Sequence, residues 1–224
     1  MQYSKIVPGI FRQRPNRFIA YVETTEGLQI CHVKNTGRCR ELLVNGAKVY
    51  LEENSNPARK TRFDLVAVEK GSLLINMDSQ APNKVAAEYL PTLLPGITLL
   101  RPETRFGNSR FDFYAETAQE QWFVEVKGVT LERAGIAMFP DAPTQRGTKH
   151  LRELITCAEQ GYRACVLFII QMAGVQFFTP NAETDPGFAK TLAEAAERGV
   201  HIVAVDCLVT PESMTVQDEV CIRF

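Results

Sequence analysis

The stretch from Ser109 to Thr130 constrains this chain most. It runs Ser-Arg-Phe-Asp-Phe-Tyr and then Trp-Phe-Val-Glu-Val-Lys-Gly-Val-Thr, which predicts two strands joined by a turn. Asp112 lies between Phe111 and Phe113, while Glu125 and Lys127 alternate with Val124 and Val126. A period of two puts the charged members on one face and the apolar ones on the other. An unpaired ion inside an apolar strand costs several kcal/mol, roughly, so these three charges must pair with one another or hold a cation.

The chain before this stretch reads as β-structure. Phe18–Val22, Leu28–Val33, Ala47–Leu51, Phe63–Val68 and Ser72–Ile75 are short β-rich runs, separated by turn residues at Gly27, Asn35 to Gly37, Asn45-Gly46, Asn54 to Pro57 and Gly71. About five short strands in so compact a segment suit an OB-like barrel, assigned here to residues 1–80. Charge separates this part from the rest. Residues 1–82 carry 12 Lys and Arg against 8 Asp and Glu, whereas residues 83–224 carry 13 against 18. The cations cluster in what read as connections: Arg12, Arg14 and Arg17; Lys34, Arg38 and Arg40; Arg59, Lys60 and Arg62. With Phe11, Phe18, Tyr21 and Phe63 among them, they supply what a groove for nucleic acid needs, cations for phosphates and rings for bases. Solvated loop cations and core aromatics account for the same residues taken singly.

Asp78 to Asn83 reads as a linker, with Pro82 holding its predecessor extended and Asn83 capping a helix over residues 84–94 that carries Glu88. Helix and strand then alternate. A strand is expected over 97–105 and a loop over Glu132–Pro143. Next come a helix from Thr144 to Glu159, strands over Ala164–Ile170 and Val175–Thr179, a helix over Phe188–Arg198, a strand over His201–Val209 and an edge strand over Val220–Phe224. The fold class is α+β, and residues 81–224 form a mixed sheet flanked by helices. Six cysteines without C-x-x-C spacing read as buried thiols. No apolar run is long enough to span a bilayer and the amino terminus lacks a signal-peptide core, so the expectation is a cytoplasmic protein without a membrane partner.

Two carboxylates and a lysine on adjacent strands suit metal-assisted phosphodiester hydrolysis. Asp112 and Glu125 offer hard oxygen ligands to Mg²⁺ or Mn²⁺, and Mg²⁺ needs only one or two carboxylates because it keeps several waters. Lys127 is placed to orient the attacking water and offset developing charge. Glu88 is the candidate for completing the ligand set, with Glu103 as its competitor. Arg146 and Lys149, at a helix amino terminus, suit a phosphate, and His150 beside them suits a second contact. A buried ion pair bridging two strands explains the same spacing without catalysis.

These motifs resemble the PD-(D/E)XK nuclease core, with Phe111 in place of its proline. Asn35–Gly37, Gln80–Asn83, Ser109–Asp112, Val124–Thr130, Phe139–Thr144 and Arg146–Leu154 together resemble the sugar fermentation stimulation protein A family over nearly the whole chain. The resemblance implies an OB-like domain, a restriction-endonuclease-like domain and DNA binding. It matches Asp112, Glu125 and Lys127 to the nuclease motif and Glu88 to the helix glutamate. The expected function is a DNA-binding protein with a divalent-metal nuclease site. Two alternatives stand beside it: a non-catalytic DNA-binding regulator of sugar metabolism that retains the fold, and an adaptor that binds proteins through the barrel. The DNA is single- or double-stranded, and a homodimer is compatible with action on a duplex.

Overall fold

A computed structural model describes every residue of the 224 except Thr36 and Pro57. The turns expected at Asn35 to Gly37 and Asn54 to Pro57 each include one of these two positions, which lie outside the described residues. The chain folds as an amino-terminal OB barrel followed by a mixed sheet with three helices.

The barrel strands are β1 (Ile6–Asn16), β2 (Ile19–Thr24), β3 (Gly27–Val33), β4 (Lys48–Glu53), β5 (Phe63–Lys70) and β6 (Leu73–Asn76). Their order is β3-β2-β1-β4-β5-β6, and a parallel pairing of β3 with β5 closes the barrel. Phe11, Val22, Cys31, Val33, Val49, Leu51, Phe63 and Leu65 fill it. Strand β1 corrects the sequence reading, because Arg12 and Arg14 lie within a strand and not in a connection. Pro8, Gly9 and Pro15 disguise it. Gly9 is needed there, since a Cβ would sit 2.5 Å from Val22 Cγ1 and 2.9 Å from the Glu23 carbonyl. The strand bends through register shifts after Phe11 and Gln13, which lets one strand pair with both β2 and β4.

Helix α1 (Ala81–Leu93) begins earlier than expected. Pro82 lies in its first turn, where a missing N–H costs nothing, and Asn83 is inside the helix and not its cap. The second sheet comprises β7 (Leu99–Phe106), β8 (Ser109–Glu116), β9 (Gln121–Val129), β12 (Arg163–Ile170), β14 (His201–Val209) and β15 (Met214–Glu219), in the order β15-β14-β12-β9-β8-β7. Strands β9, β12 and β14 are parallel, and the outer strands are antiparallel. The edge strand is β15, not residues 220–224. The expected loop over 132–143 contains β10 (Leu131–Arg133) and β11 (Ile136–Phe139), which join β13 (Phe177–Pro180) in a small sheet. Helices α2 (Gln145–Glu159) and α3 (Pro186–Glu197) follow the predicted spans closely. Thr144 caps α2 by accepting from the Gly147 N–H, and Asp185 caps α3 by accepting from Phe188. Helix α1 packs on one face of the six-stranded sheet with Val85, Ala86 and Leu90 against Phe113, Val124 and Val126. Helices α2 and α3 cover the other face.

A buried polar network joins barrel and sheet. Gln171 Nε2, at the end of β12, donates to the Asn76 carbonyl, Asn76 Oδ1 and the Asp78 carbonyl, each at 3.1 Å. Asn76 Nδ2 in turn donates to Tyr3 Oη at 2.8 Å, and Lys34 Nζ lies 3.1 Å from Asp78 Oδ2. Five of the six cysteines are buried. No helix among the described residues is long and apolar enough to cross a membrane.

Candidate functional site

Strands β8 and β9 run antiparallel, and their ladder ends at Phe113↔Val124, one step before Asp112 and Glu125. The two carboxylates therefore stand where the strands part. Alternation holds for Glu125 and Lys127 but breaks at Asp112: Phe113 and Ala115 pack towards α1, whereas Phe111 packs towards α2. The backbone is special on the neighbouring strand as well. Glu103 in β7, between the pairs Pro102↔Phe113 and Thr104↔Phe111, has φ +56. Asp112 uses the fork directly. Its Oδ2 accepts from the Val126 N–H at 2.8 Å, in place of a ladder bond, and its Oδ1 accepts from Asn83 Nδ2 on α1 at 2.8 Å.

Glu125 is buried, with 3% of its surface exposed. Its Oε1 accepts from Lys127 Nζ at 2.5 Å and is hydrogen-bonded to His150 Nδ1 of α2. Its Oε2 is buried and has no partner among the described residues. Burial works to raise the Glu125 pKa, but the hydrogen bond to His150 and the charge and hydrogen bond of Lys127 hold this carboxyl below its usual range. Burial and the neighbouring Glu125 charge push Asp112 above its usual range, against the hydrogen bonds from Val126 and Asn83. The fork thus holds an ionised carboxylate with a spare oxygen beside a second carboxylate that its surroundings disfavour as an anion. A divalent cation relieves both conditions. Each carboxylate keeps lone pairs to give, because two oxygens offer about four acceptor sites.

The third proposed ligand is placed elsewhere. Glu88 is half exposed and bonds the amino group of Met1 at 2.7 Å. From Asn83 to Glu88 is five residues, more than a full turn, so the two point to different sides of α1. Glu103 pairs with Arg110 at 2.8 Å. Among the described residues no group of three His, Cys, Asp or Glu converges as a metal site, and Asp112 and Glu125 are the two carboxylates at the fork. Asn83 and His150 are the site residues that sequence reasoning misplaced. Asn83 read as a cap, and His150, 5% exposed, stands behind Glu125 and not on the surface.

The proposed DNA-binding cations fall into two groups. Arg12 pairs with Glu23, Arg59 grips Asp64 through two nitrogens at 2.6 and 2.8 Å, and Arg62 bonds Glu26 and Glu53. Lys34 lies within 3.4 Å of Glu52, Asp64 and Asp78, and Arg14 donates to the carbonyls of Arg17, Asn35, Gly37 and Arg38. All five have protein partners, Lys34, Arg14 and Arg59 partly buried and Arg12 and Arg62 exposed. Arg17, Arg38, Arg40, Lys60 and Arg146 are exposed and without an ion pair among the described residues, and Lys149 is exposed beside Glu153 at 3.8 Å. Of the four aromatics, Phe11 and Phe63 are core, and Phe18 is exposed.

Three clefts lie near these groups. The first, about 430 Å³, is lined by Arg12, Arg14, Arg17, Arg38 and Arg40. The second, about 360 Å³, lies between barrel and sheet and shares Gly37 with the first; Gly128, Thr130, Phe139, Asp141 and Thr144 also line it. The third, about 570 Å³, begins at Gln145 and Arg146, directly after Thr144, and ends at His150. The first two clefts share a residue, and the second and third are lined by the consecutive residues Thr144 and Gln145. An apolar recess beside Trp122, Cys165 and His201 lies at the other, amino-terminal ends of the parallel strands.

Residues 13–77 match the SfsA N-terminal OB domain, and residues 80–213 match the sugar fermentation stimulation protein RE domain. The chain belongs to the sugar fermentation stimulation protein family. Within that family it is 56% identical over 222 residues to the homologue of Clostridium beijerinckii, covering 98% of each chain, and 53% identical to that of Desulfitobacterium hafniense DCB-2 over 225 residues, covering 100% of this chain and 99% of the relative. The structure of Pyrococcus furiosus SfsA in complex with Ca²⁺ superposes with a TM-score of 0.89 at 32% identity, covering 100% of this chain and 98% of that one.

Proposed function

We propose that this member of the family is a divalent-metal-dependent deoxyribonuclease. The observation that carries the reading is the buried, unpartnered Oε2 of Glu125, set beside Asp112 at the mouth of a strand fork. Leaving a buried carboxylate oxygen without a partner costs about 1–3 kcal/mol or more, and a bound cation recovers that cost. The P. furiosus relative, whose structure is in complex with Ca²⁺, supports divalent-ion binding by this chain. Asp112 and Glu125 would hold Mg²⁺ or Mn²⁺, which supplies Lewis-acid stabilisation of the phosphate undergoing attack.

The protein's own residues do the rest. Lys127 donates from its ammonium towards Glu125 and, on the same strand face, orients the attacking water and offsets charge on the phosphate. His150 holds Glu125 Oε1, so that Oε2 is the oxygen presented. Asn83 and the Val126 N–H fix the Asp112 carboxylate. Arg17, Arg38 and Arg40 attract the DNA backbone at the barrel, and a path along the three clefts leads a strand towards Glu125.

Incubation with linear, nicked and single-stranded DNA plus Mg²⁺ or Mn²⁺ tests the activity. Cleavage is expected, with Lys127→Met and Asp112→Asn each lowering the rate at least about a hundredfold. Calorimetry in the absence of DNA tests the metal. Glu125→Gln abolishes Ca²⁺ binding, whereas Glu88→Gln leaves it unchanged. Binding of Ca²⁺ unaltered in Glu125→Gln, or DNA cleavage undiminished in Lys127→Met, refutes the assignment.

A further inference from the structure

The cleft at the start of α2 has features that the metal site does not use. Ser109, 7% exposed, lines it, and the Ser109 hydroxyl is buried without a partner among the described residues. Helix α2 opens on the same cleft. The Gly147 and Thr148 amides are taken by Thr144, but those of Gln145 and Arg146 have no acceptor among the described residues. Arg146 is exposed there without an ion pair, and Lys149, 3.8 Å from Glu153, and Arg110, paired with Glu103 at 2.8 Å, also line the cleft. A buried hydroxyl, free amides at a helix amino terminus and a cluster of cations share one ligand chemistry, a phosphate oxyanion. His150 ties the cleft to the metal carboxylates. It lines the cleft while its Nδ1 bonds Glu125, so one side chain is shared between the cleft wall and the metal carboxylates.

We propose that this cleft is a second phosphate subsite, which holds the phosphodiester next to the scissile one on the same strand. The adjacency rests on the nuclease reading; the phosphate site itself does not. Arg146 and the α2 amides hold the anion, Ser109 donates its hydroxyl, and Lys149 adds charge. Two anchored phosphates one nucleotide apart would fix the reacting one against Asp112 and Glu125, converting loose backbone attraction into register.

A nucleoside 3′,5′-bisphosphate carries two phosphates at that spacing and has no sliding register. Calorimetry with Ca²⁺ and deoxythymidine 3′,5′-bisphosphate should show binding about tenfold or more tighter than with the 5′- or the 3′-monophosphate. Arg146→Gln, an exposed change that spares the fold, should remove that advantage, Ser109→Ala should reduce it, and Arg146→Lys should restore part of it. Inorganic phosphate without divalent ion reads the cleft alone. It should bind the wild type and Glu125→Gln equally and Arg146→Gln far more weakly. Phosphate binding retained in Glu125→Gln alongside failure of Ca²⁺ or DNA-cleavage assays would keep the subsite and discard the nuclease reading. No bisphosphate advantage in the wild type, or an advantage and a phosphate affinity both untouched by Arg146→Gln and Ser109→Ala, overturns the proposal.

Discussion

Glu125 and Asp64 are both buried carboxylates, and their surroundings treat them oppositely. Glu125 keeps one oxygen free. Asp64, 1% exposed, is saturated by the two nitrogens of Arg59, by His32 Nδ1 at 3.2 Å and by Lys34 at 3.4 Å. That contrast separates a residue kept for a ligand from one kept for the fold. Removing one partner of a buried ion pair leaves the others uncompensated, so Asp64→Asn should destabilise the protein by about 3 kcal/mol, the partly exposed Arg59 rehydrating in part. Denaturant titration measures it. The acid limb carries the same information. Burial works to raise the Asp64 pKa, but Arg59 and Lys34 outweigh it and set the folded value below the model-compound 3.8. Its contribution is therefore complete above 3.8 and lost as pH falls through the lower folded value. Stability of the wild type should drop more steeply on acidification than that of Asp64→Asn, and parallel acid limbs would refute the assignment. None of this was legible in the sequence, where Lys34 and Arg59 resembled every other basic residue of the barrel. Asp112, Glu125 and Lys127 were legible because local strand geometry places them. Asn83 and His150 reach the site only through helices packed from opposite faces, which no spacing reveals.

Elements were legible wherever apolar residues carry a clean period. Strands β12 and β14 and helix α2 fall close to their expected ends. Most of the misses share one cause, a Gly or Pro read as punctuation when tertiary packing required it. Pro8, Gly9 and Pro15 hid β1, Pro82 delayed the start of α1, and Gly135 and Pro140 turned β10 and β11 into a loop. Strand β15 was missed because it is mostly polar and pairs on one side only. Gly128 shows how closely elements meet at the site. A Cβ there would lie 2.6 Å from Gln171 Oε1 and 2.7 Å from Pro82 Cγ, so β9, α1 and the end of β12 touch across this glycine. Gln171 can turn aside, but Pro82 is fixed in the first turn of α1, next to Asn83. Gly128→Ala should cost about 1–3 kcal/mol by overpacking and draw Asn83 away from Asp112. A lower melting temperature with weakened Ca²⁺ binding in calorimetry is the expected pair of results. Destabilisation with metal affinity intact would show that α1 does not position Asp112.

For the molecule as a whole, the proposed path of a strand from the barrel arginines to Glu125 requires that barrel and sheet keep one orientation. The network around Gln171 has that role. Its amide nitrogen satisfies three acceptors on the segment leaving the barrel, and backbone bonds from Asn76 N to the Gln171 carbonyl at 2.9 Å and from Gln171 N to Val129 at 2.9 Å tie that segment to β9 and β12. Gln171→Ala removes a donor from each of these acceptors, at about 0.5–1.5 kcal/mol per lost hydrogen bond, although Asn76 Oδ1 keeps the Asp78 N–H at 3.0 Å and the Asp78 carbonyl keeps the Ala81 N–H at 3.1 Å. Because that cost falls at the junction and not within either core, it should loosen the coupling more than either half. Trp122, the single tryptophan, lies in β9 and reports on the second sheet alone, while far-ultraviolet circular dichroism reports on both halves. The two probes should give one coincident unfolding transition in the wild type and separate transitions in Gln171→Ala. Affinity for a strand long enough to span that path should fall in that variant, while Ca²⁺ binding at Asp112 and Glu125 and inorganic phosphate binding at the α2 cleft persist. Coincident transitions in Gln171→Ala, with affinity for the long strand unchanged, would mean that the apolar cluster common to barrel and sheet holds the orientation without the polar network.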